Sequence, residues 1–115
     1  MSVLSKLMES AASDIDVLRS LDSNGDDFSK SRSVDFLFRC PDKEKADVLS
    51  GFINTYQFGH ASPNDESGEN TVLVTISMPV EQPIILSVSG FMTCLAELYG
   101  VEFDGWGCVA QSQRA

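Results

Sequence analysis

Five carboxylates have the residue type and grouping that could support chemistry: Asp26, Asp27, Asp35, Glu102 and Asp104. Carboxylate oxygens are the ligands that Mg²⁺ prefers, and a metal held by them can activate water for phosphodiester hydrolysis. The spacing of these acids matches no established metal-binding loop, and 17 of the 115 residues are acidic. A metal-dependent nuclease is therefore the weakest of the functional hypotheses.

Other potentially catalytic groups are few. His60 is the only histidine, so a Ser-His-Asp or Cys-His arrangement has a single possible base. It follows Gly59 at the end of a predicted helix, where a histidine more often interacts with terminal carbonyl groups. Cys40, Cys94 and Cys108 are too far apart for a Cys-x-x-Cys zinc motif. The pattern predicts a protein that is not an enzyme and that holds no metal or cofactor.

The net charge is −9, and residues 64–115 carry one basic and seven acidic side chains. Such a surface repels nucleic-acid phosphates, whose binding depends on Lys and Arg. It favours basic protein partners instead. The alternative is that the negative charge only keeps the protein soluble. We expect a protein partner and no direct contact with nucleic acid.

Length and composition predict one globular domain over residues 1–115. The apolar runs are far too short to span a bilayer, and the first residues lack the pattern of a signal peptide. An odd number of widely spaced cysteines favours reduced thiols over disulfides. These features together predict a cytoplasmic protein that does not enter a membrane.

Hydrophobic periodicity predicts seven elements in the order α-β-α-β-β-α-β. An amphipathic helix over residues 3–24 ends at Asn24-Gly25. After this N-terminal helix segment (1–25), residues 33–107 have the β-α-β-β-α-β order of the ferredoxin-like fold. The predicted class is α+β, in which two helices cover one face of an antiparallel sheet. The predicted strands span residues 34–38, 59–63, 72–78 and 101–104, and the predicted helices begin after Asp42 and at Pro83.

The second face of the predicted sheet is polar. Alternation along the strands places Asp35, Glu102 and Asp104 there, together with several hydroxyl side chains. RNA-recognition domains of this topology carry aromatic and basic residues on the equivalent face, so direct RNA binding there is disfavoured. The N-terminal helix is an alternative occupant of part of this face.

The loop after the first helix contains the run Asn-Gly-Asp-Asp-Phe-Ser-Lys-Ser-Arg. Asp26 and Asp27 can accept backbone hydrogen bonds in the turn, and Lys30 and Arg32 can balance their charge. Two interpretations stay open. The loop is either a structured turn whose solvated ion pairs add little stability, or a binding site.

Trp106 is the only tryptophan, and it lies between Gly105 and Gly107. We predict that the last strand ends at Asp104 and that the two glycines turn the chain sharply. The indole ring would then fold back against the sheet edge or the loop 25–32. We favour a structural role that closes the end of the core; the alternative is a partly exposed anchor for a partner.

Two segments carry a resemblance. The first helix ends in Leu-x-x-x-Gly-x-Asp, at Leu21 to Asp27, and the run Val-Glu-Phe-Asp-Gly-Trp-Gly occupies residues 101–107. The second motif is the more specific, because it directly follows an amphipathic helix and closes the ferredoxin-like order. The sequence resembles the bacterial regulators of ribonuclease E activity, type B. Family members often carry a long acidic tail after this run, whereas eight residues follow Gly107 here.

This resemblance implies a ferredoxin-like, non-enzymatic protein that binds ribonuclease E and lowers its RNA-cleaving activity. The implied contact is with the enzyme's non-catalytic scaffold region, which is disordered and rich in arginine, and an acidic partner suits it. The alternative is a small-molecule-sensing or dimeric ferredoxin-like module. The expected protein-interaction residues are Asp26, Asp27, Asp35, Glu102, Asp104 and Trp106.

Overall fold

The computed structural model describes residues 2–112. Met1 and residues 113–115 of the predicted domain lie outside the described residues. Within the described residues, three α-helices and four strands follow one another in the predicted order. The helices are α1 (Val3–Ser23), α2 (Lys43–Thr55) and α3 (Gln82–Tyr99), and the strands are β1 (Arg32–Cys40), β2 (His60–Asn64), β3 (Asn70–Met78) and β4 (Glu102–Cys108), with a 3-10 turn at Glu66–Gly68 before β3.

The four strands form one sheet in the order β2-β3-β1-β4, and all three pairings are antiparallel. The predicted α+β class is confirmed, since this is the ferredoxin-like arrangement with an additional N-terminal helix. The alternation of side chains in β1 and β3 explains why one face of the sheet is buried. Val34, Phe36 and Phe38 of β1 are fully buried, as are Val72 and Val74 of β3.

The end of α1 and the start of α2 follow the local signals in the sequence. Gly25 adopts a positive φ of 76° after α1, and two backbone bonds return from the turn to the carbonyl groups of Asp22 and Leu21. This is the Schellman arrangement, which the predicted Asn-Gly stop requires. The Asp42 side chain caps α2 by accepting from the backbone N–H of Lys45 at 2.8 Å.

The N-terminal helix lies on the helical side of the sheet. It packs against α3 and contacts β4, so it does not take the alternative position, on the open face, that the sequence left open. Its apolar stripe is buried only in the second half, where Leu18 and Leu21 join the core. Leu4 and Met8, in the first half, are 67% and 66% exposed.

The end of α2 differs from the prediction. The helix stops at Thr55, four residues before Gly59, and Gln57 adopts a positive φ of 59° in the following turn. Gly59 is needed for a different reason than a helix stop. A Cβ atom at this position would lie 2.8 Å from side-chain carbons of both Val74 and Ile76, so the backbone approaches β3 too closely for any side chain.

In the described part of the chain, no helix combines the length and the apolar character that crossing a membrane requires.

Candidate acidic cleft beside the edge strand

Strand β4 continues through the Asp-Gly-Trp-Gly run, so the predicted sharp turn after Asp104 is wrong. Phe38 pairs with Phe103 and Phe36 pairs with Trp106, which leaves one extra residue on β4 between the two pairs. This is a β-bulge, and Gly105 supplies it with a φ of 96°. The bulge shifts the alternation by one residue.

As a consequence of the bulge, two large rings point to the same side of β4. Phe103 packs against Phe38 with ring centroids 5.3 Å apart, and Trp106 also packs against the core. Glu102 and Asp104 remain exposed and lie on the opposite side of the strand from Phe103. Gly105 therefore lets one short strand bury two aromatic rings while it presents two acids to water.

Trp106 is attached to the N-terminal helix and not to the loop 25–32. Its indole Nε1 donates a hydrogen bond to Asp14 Oδ1 at 2.8 Å. Asp14 is buried, and burial raises the pKa of its carboxyl group, although hydrogen bonds from Ser89 and Trp106 oppose this effect. The contact joins α1, α3 and β4, which supports the structural role that we predicted for Trp106.

An open cleft of about 750 Å³ lies between α1, α3 and β4. The Asp14–Trp106 bond lies in its wall, and β4 forms its rim, from which the Glu102 and Asp104 carboxylates project to the opposite side of the strand, toward the open face. We call this feature the acidic cleft. It is lined by Lys6, Glu9, Ser10, Ser13, Asp14 and Val17 of α1, by Thr93, Ala96 and Glu97 of α3, and by residues 101–106.

The charge of the acidic cleft is strongly negative. Its lining residues carry five carboxylates and one ammonium group, on Lys6, which is paired with Glu97. Three of the carboxylates, on Glu9, Asp14 and Glu97, belong to the helical walls, and those of Glu102 and Asp104 lie on the other side of β4. Asp104 accepts from Arg39 Nε at 3.1 Å, and Arg39 Nη1 also lies 3.1 Å from Glu69 on the open face. These exposed pairs are solvated, so they leave the acids accessible to a competing cation.

Of the other predicted interaction residues, Asp35 and Asp27 lie outside the acidic cleft. Asp35 is exposed on the open face of the sheet, where it accepts from Thr75 Oγ1 at 2.8 Å. Asp27 accepts from the backbone N–H and the hydroxyl of Ser29, at 3.1 and 2.6 Å. This Asx turn orders the loop after α1.

Asp26 is buried, so the structure separates it from the exposed acids. Its Oδ2 lies 2.6 Å from Arg32 Nη1 and accepts from the backbone N–H of Gln111 at 2.9 Å. Burial opposes the ionisation of Asp26, but these two hydrogen bonds outweigh it and lower the pKa. The interpretation of this loop as a solvated ion-pair cluster is therefore wrong for Asp26 and Arg32, whose side chains are 0% and 2% exposed.

The residues considered for catalysis do not come together. Within residues 2–112, no group of three or more His, Cys, Asp or Glu side chains has the geometry to hold a metal ion. His60 is exposed at the start of β2, opposite Thr75 on β3, and not at a helix end. Cys40, Cys94 and Cys108 are free thiols and are all partly buried.

Sequence reasoning missed two residues that shape this region. Asp14 follows Leu7 and Ala11 and precedes Leu18 at the helical spacing of the apolar stripe. A carboxylate at such a position is the available signal for a buried polar contact. Arg39 was missed because the predicted strand ends at residue 38, one residue before it, whereas β1 continues to Cys40.

The fold and the cleft define a class: a small ferredoxin-like domain with an acidic cleft at one edge of its sheet. Residues 11–108 match the family described as regulator of ribonuclease activity B, and the chain belongs to this family. The resemblance drawn from the Asp-Gly-Trp-Gly run is thereby confirmed. Comparison with curated proteins gave no match.

Proposed function

We propose that residues 1–115 act as one non-enzymatic, protein-binding domain that docks an acidic surface on a basic scaffold region of ribonuclease E and lowers RNA cleavage. Membership of a family of ribonuclease regulators supports a ribonuclease as the partner. The observation that carries the docking surface is the acidic cleft, with five carboxylates and one paired lysine. A flexible segment rich in arginine is its electrostatic complement.

The docking surface in this proposal is smaller than the predicted set. Glu102 and Asp104 are exposed on β4, which forms the rim of the acidic cleft, and Asp35 is exposed on the open face, on β1. Asp26 is buried and Trp106 is bonded to Asp14. These last two residues hold the surface in place and do not contact the partner in this proposal.

The test is a titration of the purified protein against ribonuclease E cleaving a short RNA. Both the full-length enzyme and its catalytic half are assayed. Inhibition of the full-length enzyme alone is the expected result, because only that form contains the basic scaffold. Equal inhibition of the catalytic half would contradict docking on the scaffold, and no inhibition of either form would contradict the proposed function.

A matched pair of double variants locates the surface. Glu102→Gln with Asp104→Asn removes two charges at the acidic cleft, and Asp65→Asn with Glu66→Gln removes two exposed charges near the 3-10 turn. Only the first variant should weaken binding, by about tenfold, and binding should weaken further as salt is raised. Equal effects of the two variants would show that total charge, and not the cleft, determines binding.

The alternative function is a module that senses a small molecule. One observation favours it, because the volume of the acidic cleft, about 750 Å³, lies within the range of ligand-binding clefts. A small cationic ligand would raise the melting temperature in a thermal-shift screen. A rise abolished by the Glu102→Gln, Asp104→Asn variant would place the ligand at the cleft.

A further inference from the structure

The outer edge of β4 has no strand partner in the described part of the chain. In the order β2-β3-β1-β4, this seven-residue strand has β1 on one side. Within residues 2–112, no strand, loop or helix forms a backbone ladder with its other side; the one isolated bridge near it joins Asp26 to Ser112, beyond the end of the strand. In a terminal strand, alternate N–H and C=O groups point outward and can receive another chain.

The two edges of the sheet differ in their capacity to receive such a chain. The opposite edge strand, β2, has five residues and contains Pro63, which lacks a backbone donor. Strand β4 contains no proline, and residues 101–106 line the acidic cleft, with α1 as the facing wall. Of the two edges, only β4 therefore combines a proline-free backbone, kinked by the bulge at Gly105, with a cleft beside it.

The charges at this edge determine which kinds of strand can pair with it. Exposed Glu102 and Asp104 would face the same acids if β4 of a second copy paired with it, so charge repulsion disfavours self-association there. The same acids attract a strand that carries Lys or Arg. Because side chains alternate across a strand, basic residues on one side of the incoming strand would meet Glu102 and Asp104, and those on the other side would meet Glu9 and Glu97 of the cleft.

We propose that an extended segment of a protein partner, rich in Arg or Lys, adds to β4 as a fifth strand of the sheet. Main-chain hydrogen bonds would supply the affinity, and the acids of the cleft would supply the preference for basic side chains. This inference rests on the proposed function for its choice of a protein partner and specifies how that partner binds. It requires the partner segment to be extended, with its backbone donors free.

Two synthetic peptides test this binding mode. The first is a heptapeptide of alternating Lys and Val; the second has the same sequence but carries a methyl group on every internal backbone nitrogen. The two peptides have equal charge, but the second cannot donate backbone hydrogen bonds. Calorimetry should show binding of the methylated peptide that is weaker by about 100-fold, since several hydrogen bonds are lost.

Amide hydrogen exchange on the full chain identifies the edge that receives the peptide. The unmodified peptide should slow exchange of outward-facing amides within residues 102–108 and leave β2 unchanged. Equal affinity of the two peptides, or protection confined to β2 or the helices, would overturn the inference. The Glu102→Gln, Asp104→Asn variant should bind the unmodified peptide about tenfold more weakly, and the Asp65→Asn, Glu66→Gln variant should bind it unchanged.

The peptide test of strand addition can fail while the inhibition test of the proposed function succeeds, and the reverse. If the protein inhibits full-length ribonuclease E while both peptides bind equally, strand addition is wrong and the proposed function stands. If the protein neither binds nor inhibits the enzyme, the proposed function fails. Protection of β4 by the unmodified peptide would still support strand addition in that case, with a different basic partner.

Discussion

The loop that follows α1 and the acidic cleft beside β4 both pair carboxylates with a guanidinium group, but water reaches only one of them. In the loop, the Asp26 and Arg32 side chains are 0% and 2% exposed. At the cleft, Asp104 and Arg39 are 42% and 45% exposed. The ion-pair distances are similar, at 2.6 and 3.1 Å, so burial is the difference that matters.

Because one ion pair is buried and the other is exposed, Asp26–Arg32 and Asp104–Arg39 contribute differently to stability. A buried carboxylate that loses its partner is strongly destabilising, so the Asp26–Arg32 pair ties the loop and the chain near Gln111 to the fold. An exposed pair adds little stability and is easily exchanged for another cation. The exposed acids are therefore the ones that water and other ions can reach, and Asp26 is a structural group.

The largest expected effect follows from breaking the buried pair. Arg32→Met removes the guanidinium and leaves Asp26 buried without its cation, which should lower the free energy of unfolding by about 3 kcal/mol. Urea denaturation measures the loss. The matched control is Arg39→Met, which breaks the exposed pair and should unfold close to the wild type; equal losses for the two variants would contradict the distinction between the two regions.

The next effect concerns the hydrogen bond between Trp106 of β4 and Asp14 of α1. Trp106→Ala removes a half-buried ring and should cost about 3 kcal/mol. Trp106→Phe keeps most of the ring but leaves Asp14 without its indole donor, at a cost of about 1–2 kcal/mol. A stable Trp106→Ala protein that no longer binds the partner would show instead that the indole ring is part of the interface.

A smaller effect should appear in the pH dependence of the folding stability, to which two buried acids contribute in opposite directions. Asp14 has a pKa raised above 3.8 and Asp26 a pKa lowered below 3.8. Asp26 contributes stability that is present above pH 3.8 and lost as pH falls through its lowered pKa, whereas ionisation of Asp14 costs stability as pH rises above 3.8. From about pH 3 to about pH 7, Asp14→Asn should therefore gain stability relative to the wild type.

Asp26→Asn should change in the opposite direction, losing stability relative to the wild type as pH approaches 3.8 from below. Thermal unfolding of the two variants and the wild type across this range measures both trends. Parallel trends for the two variants would contradict the assigned pKa directions.

The smallest expected effect is on the stability of the rim variants. Glu102→Gln and Asp104→Asn, which should weaken partner binding, should unfold within experimental error of the wild type, because both side chains are exposed. Circular dichroism during heating tests this. A clear loss of stability would assign these acids to the fold and would remove the distinction between rim and loop.

The fold was predictable because its signals are local. The alternation of Val34, Phe36 and Phe38, the Asn-Gly stop after α1 and the cap at Asp42 each depend on a few neighbouring residues. The prediction failed at Gly59, where the need for glycine comes from contact with β3. The sequence left the placement of α1 open, because an amphipathic stripe indicates that a helix packs but not what it packs against.

The site was predictable only in part, because residue type does not report burial. Asp26, Glu102 and Asp104 look alike in the sequence, yet Arg32 and Gln111 enclose the first and water surrounds the other two. The bulge at Gly105 was also hidden, since Gly-Trp-Gly is compatible with either a turn or a kinked strand. The pairing of Trp106 with Phe36 on β1 decides that the run adopts a kinked strand and not a turn.

By itself, the sequence determined the order of the elements, the α+β class, the acidic character and the family, because these depend on periodicity, composition and a short motif. Only the tertiary structure decided which acids reach water, where α1 lies and that β4, among residues 2–112, has one unpaired edge beside an acidic cleft. Those properties arise from contacts between residues far apart in the chain, such as Asp14 and Trp106. Local patterns contain no information on which distant partner a side chain meets.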